Sequence, residues 1–128
     1  MSSPTPVLPK PSQGEIWVVR LPTEPPDKGR RYVIVVSCDA QNHHPRATTV
    51  LVVPLSTTLS NRGLPQLKPG ETGLSETSEV WANGITTIRK ADLVSPRNQL
   101  QRLNRATVCA IMRSVILSVG IRPDEIVW

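Results

Sequence analysis

Apolar positions fall into short β-branched runs over the first two thirds of the chain and into a helical period near its end. Arg31-Tyr32-Val33-Ile34-Val35-Val36-Ser37 and Val50-Leu51-Val52-Val53-Pro54-Leu55-Ser56-Thr57-Thr58 each read as a strand buried on both faces. The polar residues 38–47 between them predict an antiparallel hairpin with a long loop. In such a hairpin the start of one strand lies beside the end of the next. Arg31 and the hydroxyls of Ser56, Thr57 and Thr58 are therefore expected at one sheet end.

Gly14-Glu15-Ile16-Trp17-Val18-Val19-Arg20-Leu21 reads as an earlier strand. Residues 64–69 form an edge strand limited by Pro65 and Pro69, and Pro69-Gly70-Glu71-Thr72-Gly73 is turn chemistry. Glu79-Val80-Trp81-Ala82-Asn83 and Ile85-Thr86-Thr87-Ile88 give a further strand region, with Gly84 a bulge or close approach. Asp92-Leu93-Val94 closes a small barrel, and Ser95-Pro96 begins a helical turn. A helix starts after the N-cap Asn104, carries Val108, Ile111, Met112, Val115, Ile116 and Val119 at helical spacing, and ends at Gly120. The Met112 stripe reads as core, with Arg102, Arg105 and Arg113 near the opposite face.

The proline-rich residues 1–13 read as a flexible tail, residues 14–121 as the domain, and residues 122–128 as a C-terminal tail. At 128 residues with no Phe and one Tyr, the core must be built from Val, Ile and Leu, with Trp17, Trp81 and Trp128 as the large pieces. Fifteen Lys plus Arg oppose 10 Asp plus Glu, a balance that favours an anionic partner such as RNA, DNA or an acidic segment. The few aromatics argue against an extended base-stacking platform. Two cysteines, Cys38 and Cys109, are expected as buried thiols in a reducing cytoplasm. No apolar run reaches membrane-span length and no signal pattern opens the chain, so a cytoplasmic protein is expected.

A guanidinium fork facing several hydroxyls suits a phosphate group. The competing reading of Arg31 is a surface ion pair, and that of Ser56 and Thr57 is strand-end capping. Asp27 and Glu24, in the loop leading to Arg31, are placed to act as an acid or base, although ordinary solvation is the commoner role of such residues. His43 and His44 lie at the far end of the hairpin and read as solvated. No cluster has metal-ligand spacing and no glycine-rich phosphate loop is present, so neither metal nor cofactor is expected.

The order of parts resembles the MazF/PemK family of toxin endoribonucleases. The matching stretches are Gly14-Glu15-Ile16-Trp17, Arg31 heading a Val-rich strand that ends in Ser37, Val53-Pro54-Leu55-Ser56-Thr57, and Gly70-Glu71-Thr72-Gly73-Leu74. Ile85-Thr86-Thr87-Ile88 with Lys90 and Leu93, and the helix end Val119-Gly120-Ile121, complete the match. The resemblance implies a mainly β fold, an SH3-like small barrel with a C-terminal helix, that forms a homodimer. It further implies metal-independent cleavage of single-stranded RNA, with the substrate 2′-hydroxyl attacking its own phosphate to leave a 2′,3′-cyclic phosphate and a 5′-hydroxyl. A small antitoxin whose flexible segment covers the RNA site is the implied restraint.

Arg31 and Ser56 match the family's catalytic Arg and Thr, and Thr57, Thr58, Asn83 and Asp27 are expected to contact substrate. Two positions depart from the family. Tyr32 stands where a proline often follows the arginine, and Asn83 stands where several members carry an acid. Asn cannot accept a proton as a general base. Two other readings therefore stay open: a non-catalytic toxin or inhibitor on this fold that binds a protein such as DNA gyrase, and a plain RNA-binding module.

Overall fold

The computed structural model describes residues 8–97, 100 and 102–125. Its strands are β1 (Ile16–Val19), β2 (Arg31–Val35), β3 (Thr49–Ser56), β4 (Gln66–Leu67), β5 (Ser78–Val80) and β6 (Thr86–Arg89). The helices are α1 (Asp39–Asn42), α2 (Pro69–Thr72) and α3 (Arg105–Ser118), joined in places by 3-10 turns. The sheet runs β1-β2-β3-β5-β4, and β6 also pairs with β3. All the pairings are antiparallel. Val94, after β6, exchanges backbone hydrogen bonds with Val18 of β1 at 2.9 and 2.8 Å, which curls the sheet back on itself.

Both β-branched runs are buried on two faces along their middle, with Tyr32, Leu51, Thr57 and Thr58 exposed. Val33, Val35, Val50, Val52 and Ile88 pack inside the curl with Val19, Leu21 and Leu93. Ile34, Val53, Leu55 and Val80 face the other way, against Val108, Ile111 and Val115 of α3. Asn104 caps that helix by accepting from the Thr107 N–H at 2.9 Å, and Met112 packs at the edge of its core face.

β3 changes partner along its length. Its first half pairs with β6 and its last two residues with β5. Pro54 sits at the change, and its carbonyl accepts from the Trp81 N–H at 2.9 Å. Its missing N–H would point to that same side, so β6 cannot continue past it. Gly84, in the 3-10 turn Ala82–Gly84, lies over Pro54: a Cβ there would stand 3.2 Å from the proline ring. This is the close approach expected of Gly84.

Several expectations need correction. Cys38 and Cys109 are free and exposed. Cys109 is one residue past the buried Val108, and a step of 100° along the helix turns it outward. Residues 39–42, read as loop, form the helical turn α1 around a buried Asn42, whose amide donates to the Ser37 carbonyl at 2.7 Å. Residues 69–72 form α2, which ends on Gly73 in the left-handed region. Ser95 and Pro96 are not helical. Ser12 and Gln13, expected in the tail, are tied down: the Gln13 N–H donates to Asp39 at 2.6 Å and its carbonyl accepts from Arg102 at 2.8 Å. Residues 1–7 of the expected tail, residues 126–128 and hence Trp128 lie outside the described residues.

Candidate phosphate site at the sheet end

β2 and β3 are in register with Val33 opposite Pro54 and Ile34 opposite Val53. The pairing ends at Val33 and Pro54; Arg31 lies two residues before the one and Ser56 two residues after the other, at the same end of the two strands, with Arg31 paired to Val19 of β1 and Ser56 to Glu79 of β5. Alternation along a strand puts Arg31 on the face of Val33 and Val35, and Ser56 on the face of Val50 and Val52, which is the same inner face. The sequence pattern and the register therefore agree on one sheet end for this pair.

Glu24 completes the arrangement. It rises from the loop between β1 and β2 and accepts from Arg31 in a two-point contact, Nε to Oε1 at 3.0 Å and Nη2 to Oε2 at 2.8 Å. The side chains are only 23% and 16% exposed, so the pair is shielded more than a surface ion pair. The hydrogen bonds from Arg31, more than the charge alone, hold the Glu24 carboxyl below the ordinary carboxylate range, and the same contact raises Arg31. Beneath the guanidinium lies the Trp81 ring, 5.5 Å from Cζ to centroid, a cation–π geometry that fixes its plane. Trp81, read from sequence as core filling, is half-buried and faces this site; its indole Nε1 is buried with no partner among the described residues.

Ser56 is buried, and its Oγ accepts from the Thr58 N–H at 3.1 Å. Across from it in β5 is the buried Glu79. That carboxylate accepts from the Ser60 hydroxyl at 2.6 Å and the Ser60 N–H at 2.9 Å. Those two bonds, led by the hydroxyl, hold its pKa low and pin the loop after β3, which begins with the exposed Thr57 and Thr58.

The other expected residues are not drawn in. Asp27 is exposed in the 3-10 turn Pro26–Lys28, and no contact to Arg31 is recorded for it among the described residues. Asn83 is exposed in the turn Ala82–Gly84, which packs on α3. His43 sits at the far end, with Nε2 3.0 Å from the Ser12 hydroxyl. Among the described residues no three His, Cys, Asp or Glu side chains gather as a metal site.

Two clefts flank Arg31. One of about 510 Å³ is lined by Arg20, Glu24 and Arg30 among others. The other, about 460 Å³, is lined by Arg30, Arg31, Tyr32 and Arg97. The sequence reading overlooked Arg20, Arg30 and Arg97; the Arg30-Arg31 doublet was the available signal. The first cleft balances its two arginines with Glu24 and Asp92, whereas the second holds three arginines and no acid among the described residues, the charge pattern that suits a phosphate-bearing chain.

Residues 12–119 match the family of PemK-like, MazF-like toxins of type II toxin–antitoxin systems, and the chain belongs to that family. Among solved structures it is similar to the Mycobacterium tuberculosis toxin MazF-mt6 at 23% identity and TM-score 0.64, covering 84% of this chain and 97% of that one. An endoribonuclease from a mycobacterial species, in complex with its cognate antitoxin, is similar at 23% identity and TM-score 0.59, over 86% and 95% of the two chains. MazF from the Deinococcus radiodurans MazE–MazF complex gives 17% identity and TM-score 0.58, over 87% and 96%. At these identities the likeness speaks for the fold. No curated protein matches the chain by sequence.

Proposed function

We propose that this protein is the toxin of a toxin–antitoxin pair and a metal-independent endoribonuclease acting on single-stranded RNA in the cytoplasm. The observation that carries the reading is the Arg31 fork held by Glu24, at the end of the sheet where β2 begins and β3 closes with Ser56. Arg31 is free to exchange Glu24 for a phosphate, because a phosphodiester offers the same two-oxygen face as a carboxylate. The guanidinium then stabilises the charge that builds on the phosphorane.

Displaced from the fork, Glu24 loses the hydrogen bonds that keep its pKa low, and it becomes a stronger base beside the bound anion. It takes the proton of the attacking 2′-hydroxyl. The oxygen attacks its own phosphorus, the bond to the 5′-oxygen breaks, that oxygen takes up a proton from solvent water, and Glu24 returns its proton to solvent, so the products are a 2′,3′-cyclic phosphate and a 5′-hydroxyl. Ser56 supports the phosphate. This division of labour leaves no base role for Asn83, so its lack of an acid does not disable the site.

The protein acts as a homodimer restrained by a cognate antitoxin. Leu117, Val119 and Ile121, 52%, 66% and 43% exposed at the end of α3, offer apolar surface to a second copy. Among the described residues no helix is long and apolar enough to cross a membrane.

The test is incubation with a single-stranded RNA pool in excess chelator, with the product ends identified. Cleavage giving cyclic phosphate and 5′-hydroxyl ends supports the reading. RNA binding without cleavage would leave a binding module, and absence of both would favour a protein target.

A further inference from the structure

A third cleft, of about 310 Å³, opens beside the phosphate site and differs from it in chemistry. Ser56, Thr57, Ser75, Glu76 and Ser78 line it together with Tyr32, which also lines one of the arginine clefts. The volume is at the lower end of the range for small-ligand sites, about 300–1,000 Å³. The other two clefts hold arginines, whereas among the described residues the only charged side chain lining this one is Glu76. Among the described residues its carboxylate has no recorded partner; its backbone carbonyl alone is engaged, 3.5 Å from the Ser78 hydroxyl.

Such a wall repels a phosphate. It suits instead a flat, neutral group with hydrogen-bond donors on its edge, set against an aromatic face. Tyr32 is 41% exposed, the one tyrosine of the chain, and immediately follows Arg31. Successive strand residues point to opposite faces, so a phosphate on Arg31 and a group against Tyr32 lie on either side of one strand end. Gly73, at φ 82°, turns the chain out of α2 and directs residues 75 and 76 along the other wall.

We propose that this cleft takes the nucleobase next to the scissile phosphate, stacked on Tyr32 and read by Glu76, and that it selects a base bearing an exocyclic amino group, cytosine foremost, over uracil. The proposal rests on the ribonuclease reading above. A carboxylate accepts from the cytosine N4 amino group, while uracil presents only a carbonyl at that position. That carbonyl meets a second acceptor and is rejected. The stacked face accepts every base, so discrimination falls to Glu76.

The experiment compares wild type, Glu76→Gln, Tyr32→Ala and Tyr32→Phe on a random single-stranded RNA pool, sequencing the ends. Wild type should disfavour uracil about tenfold or more at one position flanking the cut. Glu76→Gln, whose amide can donate to uracil O4, should erase that bias. Tyr32→Ala should lower kcat/KM about 10- to 100-fold, and Tyr32→Phe should keep most of it.

Binding of 2′-fluoro oligocytidine and 2′-fluoro oligouridine, which cannot undergo 2′-hydroxyl attack, gives an independent readout. The cleft predicts tighter oligocytidine binding in wild type and a lost preference in Glu76→Gln. If wild type cuts nothing yet shows this preference, the ribonuclease reading fails and the cleft stands. Equal treatment of cytosine and uracil by wild type, or a preference untouched by Glu76→Gln, overturns the cleft whether or not RNA is cut.

Discussion

Arg31 Nη2 lies 2.8 Å from Glu24 Oε2, with Nε closing the second arm of the fork on the same carboxylate. The cation that would hold a scissile phosphate is thus already occupied by an internal anion of matching shape. On the proposed mechanism RNA competes with Glu24, and its binding releases the base for the reaction.

The first prediction follows from the charge. Arg31→Ala should fold normally, because the residue heads its strand beyond the buried Val33, and should lose cleavage by roughly 100- to 1000-fold, about 2.7–4 kcal/mol of transition-state stabilisation. Arg31→Lys should recover only part of it, since an ammonium cannot span two phosphoryl oxygens. Single-turnover rates with circular dichroism as the folding control decide this.

Glu24 gives an opposed pair of effects. Glu24→Gln removes the internal anion and the base together. RNA affinity should rise while the single-turnover rate falls, about 100-fold or more for a lost general base. A fall in both affinity and rate would make Glu24 a structural brace instead.

The pH dependence has a definite sign. Arg31 depresses the Glu24 pKa, so the pair's contribution to stability is complete above the ordinary Glu value, about 4.3, and is lost as pH falls through the lower folded value. Bound RNA takes Arg31 away from Glu24 and removes that depression, so the cleavage rate should fall on acidification as Glu24 protonates in the complex, at a higher pH than the one at which the free pair is lost. Glu24→Gln should abolish this acid limb in a rate profile taken under single-turnover conditions.

Much of the fold around this site is legible in the chain. The two β-branched runs predict the hairpin, and β2 and β3 do pair antiparallel, so the start of β2 and the end of β3 fall at one end of the sheet; that Arg31 and Ser56 share a phosphate there belongs to the proposal. Asn104 as a cap and Gly84 as a close approach follow equally from local chemistry. What the sequence could not choose was between Glu24 and Asp27. Both sit in a proline-rich loop whose path depends on turns at Leu21, Pro25 and Gly29, without periodicity to read. The exposure of Cys109 was missed for a different reason: an apolar helix was read whole, although only the phase of Val108, Ile111 and Val115 faces the sheet.

Glu79 supplies a prediction that does not depend on catalysis. Its carboxylate satisfies both the hydroxyl and the N–H of Ser60. Glu79→Ala leaves these donors without an acceptor. It should lower Tm and speed amide exchange at Ser60 and Thr58, whereas Asp27→Ala, at an exposed turn position, should leave both unchanged.

Asn83 should be nearly silent. It is exposed on a turn outside the Arg31 cluster, so Asn83→Ala should change the cleavage rate by no more than about twofold, within the usual range for surface substitutions. Asn83→Asp should raise the rate no further, because the proposed mechanism gives the base role to Glu24.

The central claim is attack by the substrate's own 2′-hydroxyl at a phosphate held by Arg31. The most direct test uses an oligoribonucleotide that the wild type cuts at one position, prepared again with a single 2′-deoxy nucleotide on the 5′ side of that bond. The account predicts that wild type in chelator binds both oligonucleotides with similar affinity, cuts the first to a 2′,3′-cyclic phosphate, and leaves the second intact. Cleavage of the 2′-deoxy oligonucleotide at the same bond would contradict it.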